Sequence, residues 1–96
     1  MEDRIEPHFE AQLVQKLNAY CRKKACTYSE KREAILLTLL EIDAFTDAVS
    51  LWIFTREKSR VSISCVYSNL RIYVEAGLVA TRYGDRGVML YRVRGR

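Results

Sequence analysis

Between Ser62 and Val93 the spacing of apolar residues changes once, abruptly, at Gly77. Upstream, Ile63, Val66, Leu70, Tyr73 and Val74 recur at steps of three and four, as on one face of a helix. Downstream the step is two: Leu78 and Val79 run into Thr81 and Tyr83. After the turn "GDRG" at Gly84 to Gly87, Val88, Leu90 and Arg92 alternate with Met89, Tyr91 and Val93. A helix that stops at a glycine and passes directly into a hairpin admits few architectures. Ser62 supplies the helix N-cap, and Gly77 can take the left-handed conformation that ends it.

The residues before Ser62 predict three more helices. Pro7 suits a first helical turn, where its missing N–H has no partner to lose, and Phe9, Leu13, Leu17 and Tyr20 form an apolar stripe that fades near Ala25 or Cys26. In "CTYSEKREAILLTLLEI" either Thr27, with Glu30 three residues on, or Ser29 can cap a second helix. Its buried seam is Ile35, Leu36, Leu39 and Leu40. Thr46 or Asp47 can cap a third, short helix that turns Ala48, Leu51, Trp52 and Phe54 inward and ends in the charged turn "REKSR". Ile72 has no place on the stripe of the last helix.

Composition narrows function as well as fold. A chain of 96 residues is long enough for one domain and too short for a second lobe around a deep catalytic cleft. No nucleophile–base pair, carboxylate dyad or glycine-rich phosphate loop is present, so an enzyme is not expected. There is no apolar run of about 18 residues, and "MEDRIEPHFE" is charged where a signal peptide would be apolar; the expectation is a cytoplasmic protein with no membrane partner. Cys21, Cys26 and Cys65 form no C-x-x-C pair, and the lone His8 cannot assemble three or four ligands, so neither a metal site nor any other cofactor is expected. The net charge of +4 is distributed in "CRKK", "EKR", "REKSR" and the C-terminal "YRVRGR", which admits a polyanionic partner.

Three to four helices closed by a two-stranded wing make a mainly α, small-β winged helix-turn-helix. One domain is expected over residues 1–96: an N-terminal helix within 1–26, a helical core over 27–77 with the recognition helix at 62–76, and the wing hairpin over 78–93. Such a helix can present side chains to base edges in a major groove while neighbouring cations grip phosphates.

"SEKREAILLTLLE" and "VSISCVYSNLRIYVEAGLVATRYGDRGVMLYRV" together resemble the DNA-binding half of the ferric uptake regulator family of bacterial metal-responsive repressors. The family pattern T-x-x-R is met by Ser29 to Arg32, A-T-V-Y-R-x-L by Ser64 to Leu70, E-A-G-L-V by Glu75 to Val79, and the aromatic end of the wing by Leu90 to Val93. The likeness runs from about Gln12 to Val93. It implies that Tyr67 meets bases or a phosphate, that Ser64 and Cys65 lie at the groove-facing start of the helix, and that Arg32 sits near the DNA backbone.

Several positions depart from the pattern. Ser68 stands where the family has Arg and Cys65 where it has Thr, which removes a charge-assisted contact and a hydroxyl contact. The family's histidine before the third helix corresponds to Ala44, its wing glutamate to Arg92, and its metal-binding dimerisation domain has no counterpart in these residues. A monomer of this kind should hold a palindromic operator weakly. The alternatives are a homodimer through another surface, with the first helix as candidate, or a fragment or stand-alone domain.

The expected function is sequence-specific binding of double-stranded DNA by a transcriptional regulator, with Ser64, Tyr67, Ser68, Asn69 and Arg71 toward the groove and Arg32, Lys58, Arg60, Arg82 and Arg86 near phosphates. Each has a plainer alternative: Tyr67 as a flank of the core, Arg71 and the basic clusters as solvated surface, Cys65 as a small side chain rather than a reactive thiol. The competing class is a winged helix that docks on another protein through Tyr67 and Ile72.

Overall fold

A computed structural model of the chain describes residues 7–24 and 29–95. The first helix, α1, runs Pro7–Lys23 and buries Leu13, Leu17 and Cys21, one residue per turn, while Arg22, Lys23 and Lys24 stay exposed. Tyr20, expected in that stripe, lies instead at its edge, where its hydroxyl donates to Glu75 Oε1 at 3.2 Å. Four residues on from Leu17, Cys21 takes the inward position because it stays in phase with the helix. The expected fading point and the candidate cap Thr27 lie outside the described residues.

The second helix, α2, spans Glu30–Ile42 and is capped by Ser29, whose Oγ accepts from the Arg32 N–H at 3.1 Å. Ile35, Leu36, Leu39 and Leu40 are buried as the seam predicted. Thr38 is buried among them because its hydroxyl donates back to the Ala34 carbonyl at 2.8 Å, which satisfies the one polar atom it brings inside. Asp43 ends the helix at φ 52°.

Asp47 does two things. With Thr46 it forms a short strand, β1 (Thr46–Asp47), and its carboxylate caps the third helix, α3 (Ala48–Arg56), accepting from the Ser50 N–H at 3.1 Å and the Ser50 hydroxyl at 2.7 Å. Ala48, Leu51 and Thr55 point inward. Phe54, expected inside, is 51% exposed: it lies about 90° around the helix from the centre of that buried face.

The fourth helix, α4, spans Ile63–Glu75, and Ser62 Oγ accepts from the Cys65 N–H at 3.1 Å. Val66, Asn69, Leu70 and Tyr73 are buried, whereas Val74, placed on the inner stripe by spacing alone, is exposed. Ile72, which spacing left unplaced, packs against the core from the side. Gly77 adopts φ 78°, and the Leu78 N–H donates to the Tyr73 carbonyl at 2.9 Å while the Gly77 N–H donates to Val74 at 3.1 Å, the paired bonds of a Schellman cap.

The hairpin follows as β2 (Val79–Tyr83) and β3 (Met89–Val93), joined through a tight turn over Asp85–Gly87. The expected two-stranded wing is in fact the larger part of a three-stranded antiparallel sheet in the order β1-β3-β2, with Thr46 opposite Tyr91 and Asp47 opposite Leu90. Two residues are too few to show an alternating pattern, which is why β1 is silent in the sequence. Register sorts the wing into two faces: Val79, Thr81 and Tyr83 share one with Met89, Tyr91 and Val93, and Ala80 and Arg82 share the other with Leu90 and Arg92. Val79 and Val93 anchor the first face in the core.

Candidate nucleic-acid interface

With its inner side committed to the core, α4 turns Ser64, Tyr67, Ser68 and Arg71 to solvent at steps of three, one and three. Tyr67 is 51% exposed. Ser64 Oγ lies 3.2 Å from Ser62 Oγ, so the first turn carries two hydroxyls side by side. These four residues form one stripe.

Asn69 does not belong to it. The side chain is 4% exposed and points inward, donating from Nδ2 to the Cys65 carbonyl at 2.8 Å and lying 3.4 Å from Cys65 Sγ. Its Oδ1 accepts from Arg32 Nε at 2.6 Å. Arg32, expected near phosphates, turns its guanidinium inward from the start of α2, with Nη1 3.9 Å from Cys21 Sγ. A buried amide needs partners, and a half-buried guanidinium is a strong one, so the two residues tie α2 to α4. Above them the Tyr73 hydroxyl donates to the Arg32 carbonyl. Burial pushes the Tyr73 phenol well above the ordinary tyrosine range, which keeps it the neutral donor this contact needs.

The other expected cations are scattered. Lys58 is exposed in the turn after α3 and pairs with Glu41 of α2, a surface contact worth about 0–1 kcal/mol. Arg60 is exposed in the turn before α4, and Arg86 is exposed at the wing tip with φ 62°. Arg82 sits on the sheet face opposite Thr81 and Tyr91, its guanidinium 4.4 Å over the Phe45 ring.

Thr81, Met89 and Tyr91, from the first wing face, instead line a groove of about 400 Å³ shared with Tyr67 and Arg71 of α4. Burial raises the Tyr91 phenol, and the nearby phenols of Tyr67 and Tyr83 raise it further. Tyr67 and Tyr91 thus meet between helix and wing, with Tyr83 on the same wing face. Sequence reasoning named only Tyr67 among them, although the parity of Thr81 and Tyr83 with the apolar Val79 was available to assign that face.

A family model described as the ferric uptake regulator family matches residues 23–95. The chain belongs to that family. Its winged helix is similar to that of the ferric uptake regulator of Helicobacter pylori, at a TM-score of 0.84 and 18% identity over 99% of this chain and 63% of that one. A zinc-bound manganese uptake regulator follows at a TM-score of 0.67 and 22% identity, over 81% of this chain and 60% of that one. An ArsR-like transcriptional regulator from a Rhodococcus species has a TM-score of 0.59 at 24% identity, over 88% of this chain and 68% of that one. The chain therefore spans less than two thirds of the length of the first two. No curated protein matches its sequence significantly.

The Helicobacter pylori regulator has three functional metal binding sites. Among the described residues of this Fur-family chain no three His, Cys, Asp or Glu side chains lie close enough to hold a metal ion. Ala44 offers no donor, and Arg92 places a cation against Asp43, Nη2 to Oδ1 at 3.3 Å. Among the described residues no helix is long and apolar enough to cross a membrane.

Proposed function

We propose that the chain is a sequence-specific DNA-binding transcriptional regulator that lays α4 in the major groove of a duplex. The observation that carries this is the stripe of Ser64, Tyr67, Ser68 and Arg71 on a helix whose opposite side is wholly engaged in the core. Serine and tyrosine hydroxyls can donate to or accept from base edges, and Arg71 can fork onto a guanine or a phosphate. Arg60 before the helix and Arg86 at the wing tip flank the stripe in sequence and give it cations for the backbone, with Lys58 available once it leaves Glu41.

In this mechanism Arg32 and Asn69 act indirectly. Their bond holds the pitch and roll of α4 against α2, so that the outward stripe meets the groove in one register. A single copy makes one half-site contact, and tight operator binding requires a second copy alongside.

A protein-docking role has one observation in its favour: Val49, Ile53 and Phe54 expose apolar surface along α3. Fluorescence anisotropy on random and selected duplexes across a salt series separates the two. DNA binding should weaken by roughly one power of salt concentration per phosphate neutralised, whereas an apolar interface should not. Enrichment of a defined sequence that Tyr67→Ala no longer selects supports specific readout. Absence of binding at low salt by the unmutated chain eliminates the DNA function.

A further inference from the structure

Resting on the proposed DNA function, we infer that the strands of the wing meet the duplex through the side chain of Tyr83, beside Arg86 at the tip, and not through the strand arginines Arg82 and Arg92. The register of β2 and β3 is the first ground. Tyr83 shares its face with Thr81, Met89 and Tyr91, three of the groove residues that lie beside Tyr67 and Arg71 of α4, whereas Arg82 and Arg92 point to the opposite side of the sheet.

Both arginines are also occupied where they are. Arg82 stacks over Phe45 and Arg92 pairs with Asp43, so each would have to leave a partner and cross the sheet to reach a duplex lying on α4. Tyr83 needs no such movement: at 71% exposed it is the most open large apolar side chain among the described residues. Tyr83 shares its wing face with Tyr91, and Tyr91 shares the groove with Tyr67, so the three tyrosines run from wing to helix as one aromatic row.

The chemistry of that row differs from a basic wing. A tyrosine ring packs on a deoxyribose or an unstacked base face, and its hydroxyl donates to a phosphate oxygen. Because the ring is neutral, it displaces no counterion. Loss of Tyr83 should then lower affinity at every salt concentration alike, and loss of Arg82 should do nothing.

The test compares Tyr83→Ala, Arg82→Ala and the unmutated chain by anisotropy on a selected duplex, between about 50 and 200 mM salt. Circular dichroism melts confirm that each variant is folded. Tyr83→Ala is expected to bind about tenfold more weakly with an unchanged slope of log affinity against log salt, and Arg82→Ala to match the unmutated chain in both. Tyr83→Ala binding as the unmutated chain does, or Arg82→Ala flattening the slope by about one, overturns the assignment while leaving DNA binding intact. Failure of the unmutated chain to bind is a separate result that removes the DNA function and this contact with it.

Discussion

Asn69 is the residue for which sequence position and three-dimensional packing demand opposite outcomes, so Asn69→Ala is the sharpest perturbation available. Were the side chain in the groove, its loss would weaken DNA binding and leave stability almost untouched. It is instead 4% exposed and accepts a 2.6 Å bond from Arg32 Nε. Truncation leaves a half-buried guanidinium donor with no acceptor at that site. A hydrogen bond to a charged group contributes about 1.5–3 kcal/mol, and the orphaned donor puts the cost at the upper end. For a domain of this size each kcal/mol moves Tm by about 4–8 °C, so a loss of about 2–3 kcal/mol should lower Tm by roughly 10–20 °C.

Urea denaturation followed by circular dichroism measures this directly. Arg32→Ala and the double variant complete the cycle, and because the two side chains share one bond their effects should fall short of additive by about 1–2 kcal/mol. An Asn69→Ala protein that unfolds at the midpoint of the unmutated chain but no longer binds DNA would refute the inward placement and restore Asn69 to the groove.

Two further outcomes follow from local geometry. Gly77→Ala should cost about 1 kcal/mol in denaturant titration: no atom lies within 4 Å of a Cβ there, so the whole penalty comes from forcing a side chain into φ 78°. A larger loss would mean that space as well as backbone is limiting. Asp47, whose carboxyl is held below its ordinary value first by the Ser50 hydroxyl and then by backbone N–H groups, stabilises the start of α3 in its charged form. A depressed folded-state pKa gives stability that is present above the unfolded value and lost as pH falls through the folded one. The unmutated chain should therefore lose more stability than Asp47→Asn as pH drops from about 5 to 3, and parallel pH profiles would contradict this.

Much of the fold was legible because its signals are local. Ser29, Asp47 and Ser62 each cap the helix they were expected to start or were a candidate to start, since a short polar side chain satisfies a free N–H two or three residues ahead whatever the distant chain does. Gly77 ends α4 for a similar reason. The outward stripe of Ser64, Tyr67, Ser68 and Arg71 was legible too, because polar residues at helical spacing opposite an apolar face have only solvent to meet. What was misplaced sits at the margins of faces: Tyr20, Phe54 and Val74 are apolar residues that spacing allows on either side of a boundary.

By itself, then, the sequence determined the number and kind of the longer elements, their caps, and the change from helix to hairpin, all of which depend on contacts a few residues apart. Only the tertiary structure decided that Asn69 and Arg32 turn toward each other across α2 and α4, 37 positions apart in the chain. The same holds for β1, two residues long, which exists because β3 offers it an open edge. It holds also for the two faces of the wing, where register against a partner strand sent Arg82 to Phe45 and put Tyr83 on the face of Thr81, Met89 and Tyr91. A polar side chain carries no mark of its direction until a partner at long range supplies the bond that makes burial cheaper than water.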